Sequence, residues 1–204
     1  MTGAVTPFIK ICGLRTPEIV DTCVALGVDA VGFVFAPKSP RYIAPADARV
    51  LVSRIPPSVE AVGVFQSEPV DSIVAELAQA GIGTAQLHGD YSRDDVAALE
   101  AAGLRVIRAR SVSSFVSEEP VPGRVLIDGD HPGSGAEFPA ALLAGRALPE
   151  GWILAGGLTP ENVARRVREF GASGVDVSSG VESERGVKSA ALIEAFVAAA
   201  RASG

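Results

Sequence analysis

The sequence has few of the residues that mark several classes of protein. It contains two cysteines and two histidines among 204 residues, which argues against a disulfide framework. Lys and Arg number 18 against 24 Asp and Glu, and an acidic chain without a basic block is a poor candidate for nucleic-acid binding, which depends on neutralising phosphates. No apolar run approaches the length needed to span a bilayer, and the N-terminus lacks the features of a signal peptide. We therefore expect a cytoplasmic protein with no nucleic-acid or membrane partner and no obligate protein partner.

What the sequence does contain is a large share of small aliphatic side chains. Hydrophobic residues make up 48% of the chain and aromatic residues only 5%, as in a globular protein filled by Val, Ile, Leu and Ala. A chain of this length can form one domain with a sizeable hydrophobic core and is too short for two domains of ordinary size. We expect residues 1–204 to form a single domain.

Short apolar runs recur along the whole chain. Most are continuous rather than alternating, which is typical of parallel strands covered on their outer face. The eight candidate strands are Phe8–Cys12, Ala30–Phe35, Ala61–Phe65, Thr84–His88, Arg105–Arg110, Arg124–Asp128, Trp152–Ala155 and Gly174–Ser178.

Helical patterns lie between these runs and carry start signals. Thr16 and Thr159 are each followed by Pro and Glu, which predicts an N-cap, a proline at the first helical position and an acid in the first turn. Ser92 and Ser189 are further N-cap candidates. Cys23 lies on the apolar stripe of the first helix, so we expect it in the core.

Eight strands alternating with helices leave an open doubly wound sheet or a closed barrel. The first strand is followed by Cys12-Gly13-Leu14-Arg15 and not by the G-x-G-x-x-G turn of dinucleotide-binding folds. We therefore predict an α/β fold, a single (β/α)8 TIM barrel, with a short extra helix after strand eight. The stretch between Arg110 and Arg124 has little helical periodicity, so a loop or a single turn should replace the fifth helix.

In such a barrel the active site lies at the carboxyl ends of the strands. Glycines let the backbone approach an anion closely, and N–H groups of a following short helix point at it. The turns after strands seven and eight are therefore candidates for a phosphate site, since barrels commonly bind a phosphate there. Their residues are Gly156, Gly157, Ser178, Ser179 and Gly180.

Several blocks in chain order resemble the signatures of the phosphoribosylanthranilate isomerase family of tryptophan biosynthesis. They cover the chain from strand one to strand eight: Lys10–Leu14, Gly32–Phe35, Pro37–Ile43, Gly63–Phe65, Gln86–Gly89, Ala155–Asn162 and Asp176–Glu182. The resemblance implies an Amadori rearrangement of N-(5'-phosphoribosyl)anthranilate, a small phosphorylated substrate, with no metal and no organic cofactor.

The resemblance also implies roles for individual residues. Cys12 matches the family's general base and Asp128 its general acid, although Asp130 two residues later competes for the second role. Arg41 would pair with the anthranilate carboxylate, while His88 and Asp176 would line the sugar end of the site. Beyond Gly129 the chain departs from the family pattern, with Pro132 in place of a glycine and no Asp-Trp pair after Phe138.

Two other functions remain open from the sequence. A related barrel isomerase of histidine biosynthesis, or a bifunctional version acting in both pathways, is the nearest enzymatic alternative, but strand one here ends in Cys12 rather than an acid. A non-catalytic binder of a phosphorylated metabolite on the same barrel is the alternative of a different class. Such a binder would not require both Cys12 and Asp128.

Overall fold

A computed structural model describes residues 6–117, 123–129, 143 and 148–204. Eight parallel strands form a closed barrel in the order β1 to β8, which confirms the predicted (β/α)8 architecture. Three strands have the predicted bounds, and the other five differ by a single residue at one or both ends. The strands are β1 Phe8–Cys12, β2 Ala30–Val34, β3 Glu60–Phe65, β4 Thr84–His88, β5 Arg105–Ser111, β6 Arg124–Asp128, β7 Ile153–Leu154 and β8 Gly174–Val177.

Seven α-helices are present among the described residues, and no helix there is long and apolar enough to cross a membrane. Thr16 and Ser189 precede their helices as predicted, and Ser92 forms a capping box with Asp95. One helix begins after Ala44, which offers no capping side chain, so its start is marked only by Pro45 and by Asp47 in the first turn. The helices are α1 Pro17–Ala25, α2 Pro45–Val52, α3 Val70–Ala80, α4 Arg93–Ala101, α5 Val112–Ser117, α6 Val163–Phe170 and α7 Ala190–Arg201.

Two predictions about helices need correction. The segment after β5 forms the six-residue helix α5 instead of a loop or single turn, because Ser111 Oγ accepts the backbone N–H of Ser114 and Val112 is fully buried. The helix after β7 begins at Val163 and not directly after Thr159. Residues 160–162 form a turn first.

The chain after β8 forms the predicted short helix and then a hairpin that the sequence did not predict. Ser179–Val181 is a 3₁₀ helix. The strands β9 Glu182–Glu184 and β10 Val187–Lys188 pair antiparallel directly after it. The backbone N–H of Ser189, the N-cap of α7, donates to the carbonyl oxygen of Val181.

By its internal contacts the chain divides into two compact units, Ile11–Ala109 and Met1–Lys10 with Arg110–Gly204. In the first, the Phe35 and Phe65 rings lie 5.4 Å apart, and a Cβ at Gly63 would meet Leu77 Cδ2 at 2.5 Å. The Leu77 side chain of α3 therefore occupies the space that a side chain at position 63 of β3 would fill. In the second unit, the Arg124 guanidinium lies 4.4 Å from the centroid of the Phe8 ring.

A buried cation on β5 generates a prediction about stability. Arg108 is only 7% exposed, and its Nη1 has no hydrogen-bond partner among the described residues. Burial, together with the charge of Arg93, lowers the pKa of Arg108. An unsatisfied buried charge is destabilising, so we expect Arg108→Met to raise the free energy of unfolding by about 1–3 kcal/mol in urea denaturation.

Arg105→Met on the same strand is the matched control. Arg105 Nε donates to Thr84 and lies 3.2 Å from a Glu60 carboxylate oxygen, so its removal should leave stability unchanged or reduce it slightly. A loss of stability in Arg108→Met that exceeds the loss in Arg105→Met would contradict the expectation that the buried charge of Arg108 destabilises the fold.

Candidate active site

Three ionisable side chains from β1, β6 and β8 meet in the unit that contains Met1–Lys10 and Arg110–Gly204. Lys10 is fully buried, and Asp128 and Asp176 are 7% and 8% exposed. The Lys10 ammonium donates to Asp176 Oδ1 over 2.9 Å. Charges buried this deeply are stable only when they are paired, and Asp176 is the partner of Lys10.

Asp128, the last residue of β6, is the least compensated of the three. Burial and, second, the neighbouring charge of Asp176 raise its pKa to about 7, against the smaller opposing effects of the Gly129 backbone N–H and of Lys10. The Oδ1 atom of Asp128 is buried and has no hydrogen-bond partner among the described residues. A carboxyl group in these surroundings can hold its proton near neutral pH and give it to a reacting group.

The turn after β7 lies directly against Asp128. Gly156 has a φ of 88°, and a Cβ there would lie 2.6 Å from Asp128 Oδ1 and 2.5 Å from the Gly129 nitrogen. Any side chain at this position would therefore be strained and would displace the acid. The structure thus brings one residue of the predicted phosphate site into contact with the predicted general acid.

The two turns predicted to bind phosphate also contact each other. Gly157 has a φ of 63°, and its carbonyl oxygen accepts from Asn162 Nδ2 over 2.8 Å. Asn162 Oδ1 in turn accepts the Thr159 backbone N–H over 2.9 Å. A Cβ at Gly180 would overlap the carbonyl oxygen of Leu158, so the 3₁₀ helix after β8 rests on the turn after β7.

Ser178 and Ser179, at the start of this 3₁₀ helix, are half-buried. Lys188 of the hairpin donates to both the carbonyl oxygen and the hydroxyl of Ser178. Sequence reasoning missed Lys188 and Asn162. Asn162 stands in the recognised block Ala155–Asn162, which could have identified it, but the position of Lys188 depends on a hairpin that was not predicted.

In the other unit, Cys12 stands at the carboxyl end of β1. It is in no disulfide, is 6% exposed, and belongs to an apolar cluster with Val34, Ala36 and Val64. Small aliphatic side chains of β2, β3 and the residues after β2 thus form a wall beside the thiol. Cys23 is fully buried in α1, which confirms its prediction as a core residue.

His88 ends β4 and contacts Gln86 two residues earlier on the same face. The Gln86 amide nitrogen lies 2.6 Å from His88 Nε2. An amide nitrogen donates, so His88 Nε2 is the acceptor when Gln86 has this orientation. Gln86 is fully buried, and its Oε1 lacks a hydrogen-bond partner among the described residues.

Arg41 lies in the loop after β2, which is held by several hydrogen bonds. Arg15 Nη1 donates to the carbonyl oxygen of Pro40 over 2.8 Å, and the Arg41 backbone N–H donates to Ser39 Oγ over 3.1 Å. Tyr42 forms an isolated parallel bridge with Val34. These contacts fix the backbone on both sides of the half-buried Arg41.

The alternative acid Asp130 and the diverged loop up to Phe138 lie outside the described residues. In the part of the chain that the structure describes, no group of three His, Cys, Asp or Glu residues could hold a metal ion.

The raised pKa of Asp128 makes the stability of the fold depend on pH. Because the folded-state pKa of about 7 lies above the ordinary value of 3.8, the fold favours the protonated carboxyl. That contribution is complete below about pH 4 and is lost as the pH rises through about 7. Asn at position 128 cannot ionise. The free energy of unfolding of Asp128→Asn should therefore increase relative to that of the wild type by a few kcal/mol between about pH 4 and pH 8, at about 1.4 kcal/mol per pKa unit.

Asp95→Asn is the control for this measurement by urea denaturation. Hydrogen bonds from Ser92 lower the pKa of Asp95, so its contribution changes only in more acidic solution and the difference from wild type should stay constant over the same range. A constant difference for Asp128→Asn as well would show that Asp128 ionises normally.

Comparison with known proteins agrees with this arrangement. Residues 9–199 match the family model described as N-(5'phosphoribosyl)anthranilate (PRA) isomerase. The chain is 40% identical over 199 residues to the N-(5'-phosphoribosyl)anthranilate isomerase of Dechloromonas aromatica, covering 95% of both chains.

Two solved structures extend the comparison to the fold. TrpF from Jonesia denitrificans has 42% identity and a TM-score of 0.86, with 97% of this chain and 98% of that chain covered. A phosphoribosyl anthranilate isomerase in complex with reduced 1-(o-carboxyphenylamino)-1-deoxyribulose 5-phosphate has 32% identity and a TM-score of 0.83, with 96% and 99% covered. This chain belongs to the N-(5'-phosphoribosyl)anthranilate isomerase family.

Proposed function

We propose that this protein, acting as one barrel domain over residues 1–204, converts N-(5'-phosphoribosyl)anthranilate into 1-(o-carboxyphenylamino)-1-deoxyribulose 5-phosphate by general acid and base catalysis. The observation that carries the proposal is the buried Asp128 carboxyl with a pKa of about 7, in contact with the glycine turn after β7. The rearrangement needs an acid that is still protonated near neutral pH and a phosphate site beside it.

In the first step, Asp128 gives its proton to the furanose ring oxygen. The bond between this oxygen and C1' breaks as the anilino nitrogen lone pair forms a C=N bond, which leaves an open-chain Schiff base with a free hydroxyl at C4'. Asp128 is left as a carboxylate. The charge of Lys10, which lowers the pKa of Asp128, stabilises this ionised form.

In the second step, the Cys12 thiolate takes the proton from C2'. The electrons of the C2'–H bond form a C1'–C2' double bond, and the C=N electron pair returns to nitrogen as an enolamine. The enolamine then tautomerises to the 2'-ketone, with a proton delivered to C1'. The apolar cluster around Cys12 supports this role, because a thiolate that is poorly solvated is a stronger base than one in water.

The remaining residues are proposed to bind the substrate. The turns Gly156-Gly157 and Ser178-Ser179-Gly180 would hold the phosphate through backbone N–H groups and hydroxyls. Arg41 would pair with the anthranilate carboxylate, a planar acceptor that suits the guanidinium fork. His88 and Asp176 would contact the sugar hydroxyls. The chemistry as written uses side chains alone and requires no metal or organic cofactor.

The direct test is turnover of freshly generated N-(5'-phosphoribosyl)anthranilate, followed by the loss of its fluorescence. We expect steady conversion to the ketose product by the wild-type protein. A correctly folded protein that binds the substrate without converting it would contradict the proposal and favour the non-catalytic binder.

The second test separates catalysis from binding. Cys12→Ala and Asp128→Asn should each lower kcat by about two to four orders of magnitude, the usual contribution of one general acid or base. The affinity for the reduced product analogue should stay nearly unchanged, since neither change alters the phosphate-binding turns. The measurement is steady-state kinetics paired with calorimetric binding.

Cys23→Ala is the matched control, because it removes a thiol that is buried in α1. It should keep the wild-type kcat even if the protein loses some stability. Wild-type kcat in either Cys12→Ala or Asp128→Asn would exclude the proposed assignment of that residue.

A further inference from the structure

Lys188 is a buried cation outside the proposed set of site residues. Its side chain is 3% exposed, and it pairs with Glu182, 5% exposed, over 2.8 Å. Glu182 Oε2 also accepts the Gly186 backbone N–H over 2.9 Å. The pair therefore closes the β9–β10 hairpin and places the Lys188 ammonium at the base of the 3₁₀ helix.

All three N–H donors of Lys188 are used within this small region. One donates to Glu182 Oε1 over 2.8 Å, one to the Ser178 carbonyl oxygen over 2.8 Å and one to Ser178 Oγ over 3.1 Å. An ammonium group has three donors and no acceptor. Lys188 thus fixes Ser178 by its backbone and its side chain together.

This contact determines the direction in which the Ser178 hydroxyl can donate. Because the ammonium only donates, Ser178 Oγ is the acceptor in this contact, and the hydroxyl proton must point away from Lys188. Gly180, two residues later, is pressed against the Leu158 carbonyl, so the far end of the 3₁₀ helix is fixed as well. Both ends of the Ser178-Ser179-Gly180 turn are held before any ligand arrives.

We propose that Lys188 is a positioning residue for the substrate phosphate: it holds Ser178 so that the hydroxyl and the following backbone N–H groups face the phosphate. The inference rests on the proposed phosphate site. Since Glu182 balances its charge, Lys188 acts through the geometry of Ser178 and not as a second positive charge on the ligand. Preorganised donors bind an anion more tightly than donors that must first be ordered.

The test measures two ligands that each resemble one half of the substrate. Inorganic phosphate is titrated by phosphorus NMR and anthranilate by its fluorescence. Lys188→Met should weaken phosphate binding about tenfold, the effect of losing about one hydrogen bond, and leave anthranilate binding within about twofold. In turnover assays the same variant should raise KM with little change in kcat, because only uniform binding is lost.

Arg185→Met is the matched control, since it removes an exposed cation from the same hairpin and should bind both ligands as the wild type does. Ser178→Ala removes the hydroxyl but leaves the contact of Lys188 with the Ser178 carbonyl oxygen, so it should weaken phosphate binding no more than Lys188→Met. The double variant should lose less than the sum of the two single losses, because the hydroxyl depends on the same lysine. If Lys188→Met does not fold, the double variant Glu182→Met, Lys188→Met replaces the whole ion pair by apolar side chains. Proteins often tolerate such a replacement of a buried ion pair, and we expect the same loss of phosphate affinity.

Unchanged phosphate affinity in either folded Lys188 variant would overturn the proposal, as would additive losses from Ser178→Ala and Lys188→Met. Equal weakening of phosphate and anthranilate would indicate a purely structural role and would also overturn it. Both binding measurements need no turnover, so a wild-type protein that binds phosphate but fails to isomerise contradicts the proposed reaction and leaves the Lys188 result standing. A wild-type protein that does not bind phosphate contradicts both.

Discussion

The proposed chemistry depends on the ion pair between Lys10 and Asp176 and on the acid buried beside it. Lys10 has no exposed surface and would be unstable in the core without Asp176, 2.9 Å away. One carboxylate balances the one cation, so a second carboxyl in the same place is most stable when it keeps its proton. Burial first and Asp176 second raise the pKa of Asp128 to about 7, and the fold itself thereby favours a carboxyl that keeps its proton near neutral pH.

The glycines of the adjoining turns follow from the same constraint. Gly156 must approach the Asp128 carboxyl more closely than any side chain allows, and Gly180 must approach the Leu158 carbonyl. Each close approach joins one strand end to the next, from the acid to the turn after β7 and from there to the 3₁₀ helix after β8. The hairpin then fixes the end of this series through Lys188 and Ser178. Asp128 and the two turns proposed to bind phosphate are consequently parts of one packed arrangement.

The sequence predicts features that depend on local patterns. Continuous apolar runs located all eight strands to within a residue at each end, and Ser92 and Ser189 marked helix starts through their own side chains. Helix α2 has no capping side chain at Ala44, and only Pro45 and Asp47 mark its start. Lys10 and Asp176 are 166 positions apart in the sequence, so no local sequence pattern can predict that they pair. Both residues stand in blocks that resemble the family, and Asp176 was predicted as a site residue, but their pairing was not predicted.

Spectroscopic titration of the Asp128 carboxyl tests the central claim most directly. The infrared difference between wild type and Asp128→Asn isolates the C=O stretch of this one protonated acid as a function of pH. The account predicts a pKa of about 7, and a lower value in an Asp176→Asn background, since the second cause of the shift is then removed. A carboxyl band that has already disappeared by about pH 5, as for an ordinary aspartic acid, would contradict it.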